Sequence, residues 1–273
     1  MIYLYAHTNH KSGLDSLRRV AAIYWQLEKE SIACELLIND YRAQLTARSW
    51  GLPLATTIET IKDIDAVATP ADTIVIDSTE TLEGKVLAYP EKFKQVIYLN
   101  SLNNEHPFLG AENISLFQNS QYLFTQVTRA VSRKAIFIYG DSDYEKSILK
   151  NLEIFKDKEL DLYWGTYFFV KYEDEMAKIF NNIVESEEYY NILQEYEYII
   201  SSSLQVAIES SLNGSKVLFL ELESIDNFSK NALENLNIPI VKDLKTLEYH
   251  NRLEKKNIPN FSSEICSKPD ILP

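Results

Sequence analysis

Residues Tyr198–Leu222 read YIISSSLQVAIESSLNGSKVLFLEL, and this stretch decides the fold expected for the chain. An apolar run at Tyr198–Ile200 is typical of a buried parallel strand, and serines then interrupt it. Apolar side chains recur at helical spacing over Leu204–Asn213, and Gly214 can take the left-handed conformation that ends a helix. A second apolar run follows at Val217–Leu220. The pattern predicts a strand, a helix and a parallel strand joined by a right-handed crossover.

The serine turn of this stretch is a candidate anion site. Ser202 and Ser203 stand at the predicted helix N-terminus, where hydroxyl and backbone N–H groups can bind an anion. Gln205 and Glu209 lie four residues apart on one helix face. A carboxylate one to two turns into such a helix can accept hydrogen bonds from a ribose diol. The alternative is an ordinary strand–helix–strand unit with a serine cap and a solvated glutamate.

The composition bounds the size and the partners of the protein. The chain has 273 residues, of which 45% are hydrophobic, and this is enough for two domains with a sizeable core. The formal net charge is −13, so nucleic acid and anionic membrane surfaces are not expected as partners. A local basic pocket for a small anionic ligand remains compatible with this charge.

Cysteine usage and hydropathy indicate a cytoplasmic protein. Cys34 and Cys266 are far apart in sequence and lack the spacing of metal ligands, which fits a reducing compartment. The first ten residues are too polar for a signal peptide, and no apolar run has the length of a membrane span. No metal site and no cofactor are expected.

The first half of the chain opens with a second strand–helix–strand pattern, over Ile2–Ala6, Asp15–Glu30 and Ala33–Ile38. The loop between the first strand and the helix contains His7 and His10. Either histidine could act in acid–base chemistry, because its side chain titrates near neutral pH. The alternative is that each is an ordinary surface residue.

Two arginines follow this loop in the first turn of the predicted helix. The helix dipole disfavours cations there, so an anionic ligand near Arg18 and Arg19 would offset the cost. Alternatively, both arginines are solvated or pair with acidic residues. A further strand, Thr73–Asp77, ends in an acid at the edge where ligands bind in open α/β sheets. Asp77 is therefore a secondary site candidate, or else it caps the following segment.

The second half of the chain repeats the alternation of strands and helices. Ala135–Tyr139 reads as a strand, the turn Gly140–Asp143 follows, and helices are expected over Tyr144–Phe155 and around Met176–Ile183. We predict an N-terminal domain over residues 1–131, a C-terminal domain over residues 132–256 and a tail over residues 257–273. Both domains are expected to be α/β with a parallel sheet.

The stretch SSLQVAIESSLNG resembles the nucleotide-binding segment of the GT-B nucleotide-sugar proteins. It is most similar to the peptidoglycan N-acetylglucosaminyltransferase and to the UDP-sugar hydrolase of pseudaminic acid biosynthesis. These families have a serine- or glycine-rich turn, then a glutamate that binds the UDP ribose, then a glycine. Ser202, Ser203, Glu209 and Gly214 match this pattern. The resemblance implies two Rossmann-like domains with an interdomain cleft, and a turn at Gly140 that faces the diphosphate.

The loop SGLDSLRR resembles the catalytic loop of the same hydrolase family. Gly13 matches the first glycine of that loop and Arg19 its arginine, whereas Asp15 replaces the second glycine. Ser16 stands where the family has the histidine that is its catalytic base. A serine cannot accept a proton near neutral pH without a partner base. Either another group (His7, His10 or Asp15) is the base, or the reaction differs, or catalysis is lost.

The resemblance implies glycosyl transfer from a UDP-sugar to water or to an acceptor, in bacterial surface-glycan or flagellin-sugar biosynthesis. Arg18 or Arg19 would stabilise the departing phosphate. A second hypothesis is a catalytically degenerate relative that binds a nucleotide, a sugar or a protein partner. A third is an unrelated two-domain α/β protein, for which the fold carries no function.

Overall fold

A computed structural model describes residues 1–100, 107–115, 123–168 and 172–245 of the chain. The predicted tail over residues 257–273 lies outside these ranges. Strands are arranged in two sheets, one from each half of the chain.

The first sheet is built from residues 2–115. Its strands are β1 (Ile2–Ala6), β2 (Cys34–Ile38), β3 (Thr56–Thr57), β4 (Thr73–Asp77), β5 (Gln95–Asn100) and β6 (Glu112–Ser115). The helices of this half are α1 (Asp15–Lys29), α2 (Tyr41–Ser49), α3 (Ile64–Val67) and α4 (Tyr89–Lys92), with 3₁₀ turns at Ile61–Asp63 and Gly84–Ala88. All strand pairs are parallel, in the order β3-β2-β1-β4-β5-β6.

The second sheet is built from residues 133–241. Its strands are β7 (Arg133–Ile138), β8 (Asp161–Trp164), β9 (Ile183–Glu185), β10 (Tyr196–Ser201), β11 (Lys216–Leu220) and β12 (Ile240–Val241). The helices are α5 (Ser147–Lys150), α6 (Glu173–Met176), α7 (Tyr189–Glu195), α8 (Leu204–Leu212) and α9 (Asn227–Asn235), with 3₁₀ turns at Leu152–Ile154 and Ser186–Glu188. These strands are also parallel, in the order β12-β11-β10-β7-β8-β9.

Both sheets have the strand order of the Rossmann fold. Numbered within its own half, each sheet runs 3-2-1-4-5-6, so the order reverses between the first and fourth strands. Ligands bind in such sheets outside the carboxyl ends of the strands at this reversal. The reversal lies between β1 and β4 in the first sheet, and between β7 and β10 in the second. The predicted α/β fold with two Rossmann-like domains is confirmed.

The stretch that predicted the fold has the expected structure, with β10, α8 and β11 in that order. Residues Tyr198–Ser201 pair in parallel with Lys216–Phe219, so the crossover joins adjacent strands. The domain limits at residues 131 and 132 stay a prediction. The last described strand of the first sheet ends at Ser115, and the first strand of the second sheet begins at Arg133.

Two predicted helices are shorter than expected. The helix predicted over Tyr144–Phe155 begins only at Ser147, because Lys146 has a left-handed backbone (φ 58°) and the Asp143 carboxylate accepts hydrogen bonds from the first amides of α5. The helix predicted around Met176–Ile183 ends at Met176. Residues Ile183–Glu185 instead form the edge strand β9, because each of them pairs in parallel with a residue of β8.

Apolar packing continues from one half of the chain into the other. One cluster of buried side chains includes Leu17 and Val20 of α1 together with Tyr189 and Ile192 of α7. The indole of Trp50 packs against the ring of Tyr189 with centroids 5.9 Å apart. The two sheets therefore share a core where α1, α2 and α7 meet. None of the helices within the described ranges has the length and hydropathy needed to span a membrane.

Candidate functional site

A cavity of about 340 Å³ lies at the reversal point of the second sheet. It is lined from the second half of the chain by the segments that follow β7, β10 and β11, and from the first half by the loop before α1. The polar lining residues are Lys11, Ser12, Asp15, Tyr139, Asp141, Ser142, Ser202, Ser203, Glu223 and Ser224, and Gly13 and Gly140 are also exposed to it. This volume is at the lower end of the range of small-molecule sites, which is roughly 300–1,000 Å³.

The serine turn forms one wall of the cavity. Ser203 is the N-cap of α8, and its hydroxyl accepts a hydrogen bond from the amide of Val206 at 3.3 Å. The Ser202 hydroxyl donates to the carbonyl of Leu220 at 2.6 Å and so ties the turn to the end of β11. The first amides of a helix have no partner within the helix. The N-terminus of α8 therefore presents backbone donors and the positive end of its dipole to the cavity.

Arg18 and Asp141 form a buried ion pair between the two halves of the chain. The Arg18 guanidinium donates twice to the Asp141 carboxylate, at 2.7 Å in each bond. Asp141 also accepts from the amide of Leu14 at 2.7 Å and from the Tyr163 hydroxyl at 2.9 Å. Burial alone would raise the pKa of Asp141, but the attraction of Arg18 more than offsets it and holds that pKa below its ordinary value. Asp141 is thus a carboxylate at the N-terminus of α1.

Gly13 is required for the approach of Asp141 to α1. Its backbone is left-handed, with φ 64°. A Cβ atom at this position would lie 2.7 Å from the Asp141 Oδ2 atom, closer than such contacts are found. The loop before α1 and the loop after β7 therefore touch directly, and this contact closes one side of the cavity.

Asp15 reaches the cavity from the first half of the chain. Its side chain is 34% exposed, and one carboxylate oxygen accepts a hydrogen bond from Arg18 at 2.9 Å. Burial raises the pKa of Asp15, and Asp141 adds to this effect, whereas Arg18 and Arg19 oppose it. A half-buried carboxyl group with a raised pKa in a ligand-sized cavity has the character of a general base.

Arg19 lies in the interior and does not line the cavity. It makes a bidentate ion pair with Asp77, at 2.6 and 2.9 Å, and donates to the Gln205 side-chain oxygen at 3.1 Å. It also donates to the hydroxyl of Ser16, which is itself buried. The structure thus brings Arg19, Asp77 and Gln205 together, although the sequence placed Arg19 and Gln205 on different ligand-binding surfaces.

Glu209 is also buried and is absent from the cavity lining. Its carboxylate accepts one hydrogen bond from the Thr125 amide at 2.9 Å and one from the Tyr189 hydroxyl at 2.7 Å. Burial raises the pKa of Glu209 to about 7, although both hydrogen bonds act in the opposite direction. Within this arrangement Glu209 anchors residue 125 to α8. Its predicted role in ribose binding stays a prediction, and that role would require an exchange of these partners.

The two histidines that were predicted as catalytic candidates do not line the 340 Å³ cavity. His7 Nδ1 is 3.1 Å from the Thr79 hydroxyl oxygen, and burial lowers the pKa of this histidine. His10 lines a second, open cavity of about 420 Å³, together with Thr8, Asn39, Arg42 and Tyr167. Of the predicted catalytic residues, only Asp15 shares a cavity with Gly140, Ser202 and Ser203.

Sequence reasoning missed two residues of the cavity and the partner of a third. Lys11 is the only cationic side chain in the described lining, and Glu223 is an acid in the loop after β11. Asp141 lies in the predicted turn Gly140–Asp143, but its pairing with Arg18 could not be predicted across 123 residues of chain. The position of Glu223 just after a predicted strand was a signal that could have identified it. No group of three potential metal-binding side chains occurs in the part of the chain that the structure covers.

No protein-family model matches the chain, and no curated protein matches it. Solved structures of similar shape were found. S. aureus MnaA in complex with UDP is 11% identical, with a TM-score of 0.53, and the match covers 86% of this chain and 82% of that one.

Two further structures are similar over most of their length. The Methanocaldococcus jannaschii UDP-GlcNAc 2-epimerase in complex with UDP-GlcNAc and UDP is 12% identical, with a TM-score of 0.50 and 88% of each chain covered. The E. coli heptosyltransferase WaaC with ADP-2-deoxy-2-fluoro heptose is 9% identical, with a TM-score of 0.50, and the match covers 94% of this chain and 100% of that one.

The protein has the GT-B fold. The predicted resemblance to GT-B nucleotide-sugar proteins is confirmed at the level of this fold. Because the sequence identities are low, the likeness shows the GT-B fold alone, and any activity of this GT-B chain depends on its own site.

The two partners of the buried ion pair in this GT-B chain should be energetically coupled. Replacing either partner alone, by Arg18→Leu or Asp141→Leu, leaves an uncompensated buried charge. Each single variant is expected to lose about 3–5 kcal/mol of unfolding free energy. The double variant should lose much less than the sum of the two single losses. Urea denaturation of the four proteins measures this coupling. The exposed pair Lys62–Glu83 serves as the control, and its partners should show little coupling because solvent screens them. Additive losses at Arg18 and Asp141 would contradict the interaction.

The raised pKa of Glu209 should make the stability of the protein depend on pH. Its folded-state pKa of about 7 lies above the ordinary value of 4.5. Stability from this group is therefore fully present below pH ~4.5 and is lost as the pH rises through ~7, by up to roughly 3 kcal/mol. Glu209→Gln should remove this loss, so the unfolding free energy of the variant should fall less between pH 5 and pH 8.

The matched control for this measurement is Glu197→Gln, since Glu197 is partly exposed and pairs with Lys216 at the surface. This control should retain the pH dependence of the unchanged protein. An identical pH dependence in Glu209→Gln and in the unchanged protein would show that Glu209 does not titrate as a buried acid.

Proposed function

We propose that the protein binds a UDP-sugar in the 340 Å³ cavity and transfers its glycosyl group to water or to an acceptor hydroxyl. The observation that carries this proposal is the composition of the cavity walls. The N-terminus of α8 contributes the positive end of its dipole and serine hydroxyls on one side, and Asp15 contributes a carboxyl group with a raised pKa on the other. The solved GT-B structures bound to UDP, or to a nucleotide-sugar analogue, support the choice of ligand class.

In this proposal the diphosphate binds at the start of α8. The amides of the first turn and the side chain of Lys11 would balance its charge, since Arg18 and Arg19 are already paired with carboxylates. The sugar would extend toward the loop before α1. This placement puts its reacting carbon between the departing phosphate and Asp15.

Asp15 would act as the general base. It would accept the proton of the attacking hydroxyl or water while a new bond forms at the reacting carbon and the bond from that carbon to the phosphate oxygen breaks. The nucleotide would leave as the diphosphate, stabilised by the helix N-terminus. Domain limits near residue 131 would place the base and the nucleotide site on different domains of the proposed enzyme.

A second candidate is binding without turnover. Both arginines that could stabilise a leaving phosphate are paired with Asp141 and Asp77, and the position of the family histidine is a buried serine. A GT-B protein of this kind would bind a protein partner, or would bind the nucleotide-sugar without cleaving it.

Cytoplasmic location and a role in glycan biosynthesis are part of the first proposal, in which the protein is an enzyme.

Nucleotide binding is tested by thermal unfolding with UDP, UDP-GlcNAc, ADP and inorganic phosphate. Ligand at a hundredfold excess over its dissociation constant stabilises the folded protein by about 2.7 kcal/mol. We expect stabilisation by UDP and UDP-GlcNAc that exceeds the effect of phosphate. If none of the nucleotides raises the unfolding temperature, the proposed function is wrong.

The same samples test the reaction and the base. Release of UDP is measured together with the NMR spectrum of the sugar, which separates transfer to water from epimerisation. Asp15→Asn should retain the affinity for UDP and lower turnover by about 10²–10⁴-fold. The control is Asp65→Asn, since Asp65 pairs with Lys85 and Lys92 and does not line the cavity. Binding without release of UDP would favour the second candidate, and full turnover in Asp15→Asn would exclude Asp15 as the base.

A further inference from the structure

The carboxylate expected to bind the ribose already has hydrogen-bond partners within the chain. Both oxygens of Glu209 are occupied, one by the Thr125 amide and the other by the Tyr189 hydroxyl. The side chain has no exposed surface and faces the core rather than the cavity. Unless Glu209 exchanges these partners, a nucleotide at the start of α8 needs another acceptor for its ribose hydroxyls.

A different carboxylate faces the cavity. Glu223 follows the end of β11 by three residues, is exposed to solvent and lines the cavity. Its Oε1 atom accepts hydrogen bonds from the hydroxyls of Tyr139, at 2.8 Å, and of Ser147. Within the described residues no hydrogen bond reaches its Oε2 atom. The side chain is thus held in place by one oxygen while the other can accept a ligand.

The ionisation of Glu223 suits this purpose. The hydrogen bonds from Ser147 and Tyr139 hold the pKa of its carboxyl group below the ordinary value. Glu223 is therefore an ionised acceptor at neutral pH, whereas burial has raised the pKa of Glu209 to about 7. Hydrogen bonds from neutral hydroxyls to a carboxylate are stronger than those to a neutral acceptor.

The position of Glu223 relative to the serine turn fits a nucleoside diphosphate. β10 and β11 are adjacent, so their carboxyl ends are about 4.8 Å apart. The Ser202 hydroxyl bonds directly to the last carbonyl of β11, which fixes the serine turn against the segment that leads to Glu223. In a nucleoside diphosphate the ribose is attached to the first phosphate. From a phosphate at the start of α8, the ribose can reach the β11 side of the cavity, where Glu223 lies.

We propose that Glu223, rather than Glu209, accepts hydrogen bonds from the ribose hydroxyls of the bound nucleotide. This inference rests on the proposed nucleotide-binding function. Tyr139 and Ser147 are positioning residues for Glu223. The carboxylate also disfavours nucleotides that carry a phosphate on the ribose, because two negative groups would meet there.

The test compares UDP with 2′-deoxy-UDP and 3′-deoxy-UDP by titration calorimetry. If a carboxylate accepts a hydrogen bond from a ribose hydroxyl, at least one deoxy ligand should bind the unchanged protein about 10- to 100-fold more weakly than UDP. In Glu223→Ala that penalty should disappear, so that UDP and the deoxy ligand bind with equal affinity. Glu223→Gln, which keeps the shape of the side chain, should reduce the penalty without removing it.

Two controls separate direct contact from indirect effects. Glu221→Ala changes an acid two residues away that does not line the cavity, and Glu209→Gln changes the buried acid. Both variants should retain the full deoxy penalty, even if their affinity for every ligand shifts. Ser147→Ala should lower the penalty partly, because Glu223 then loses one of its anchors.

The outcomes also separate this inference from the proposed function. If UDP does not bind the unchanged protein, the proposed function fails and the inference fails with it. If UDP binds and the deoxy penalty persists in Glu223→Ala, only the inference is overturned. Loss of the penalty in Glu209→Gln would return the ribose to Glu209, as the family pattern predicts.

Discussion

The guanidinium of Arg18 is fully buried where the two halves of the chain meet, and it needs a negative partner there. Asp141 supplies that charge from the loop after β7, and the Tyr163 hydroxyl donates to the same carboxylate. The ring of Tyr189 lies 4.2 Å below the guanidinium carbon, so the cation is also covered on one face. Because each partner would be costly to bury alone, the ion pair holds the loop before α1 and the loop after β7 in one arrangement.

This arrangement determines what the cavity can do. The loops that the ion pair joins are the same loops that line the cavity, so its shape depends on the contact between Gly13 and Asp141. Arg18 is paired with Asp141 and Arg19 with Asp77, so neither arginine is free to bind a phosphate. The cavity binds an anion, in our proposal, through backbone amides and Lys11 rather than through guanidinium groups. Electrostatic attraction is therefore concentrated at the start of α8.

Burial gives the acids around this site different roles. Asp141 is ionised and structural, since Arg18 compensates its charge. Glu209 is isolated from solvent without a cation in hydrogen-bond contact, and burial raises its pKa to about 7. Asp15 is half-buried at the cavity with a raised pKa, and exposed Glu223 is held ionised by two hydroxyls. Side chains of one chemical type thus divide into an ion-pair partner, an anchor, a proposed base and a proposed ribose acceptor.

The sequence by itself determined the fold, because apolar runs, serine caps and helix-ending glycines are local signals. The unit over Tyr198–Leu222 and the strand at Ile2–Ala6 formed as predicted, and Ser202 and Ser203 were identified as site residues from their place at a helix start. Asp15 was identified through the resemblance to the catalytic loop of the hydrolase family. Only the tertiary structure decided which acids face the ligand and which face the core. A helix pattern places Glu209 on a face of α8, but the partner that covers this face comes from Thr125 and Tyr189, which are 84 and 20 residues away. Long-range packing of that kind leaves no periodicity in the sequence.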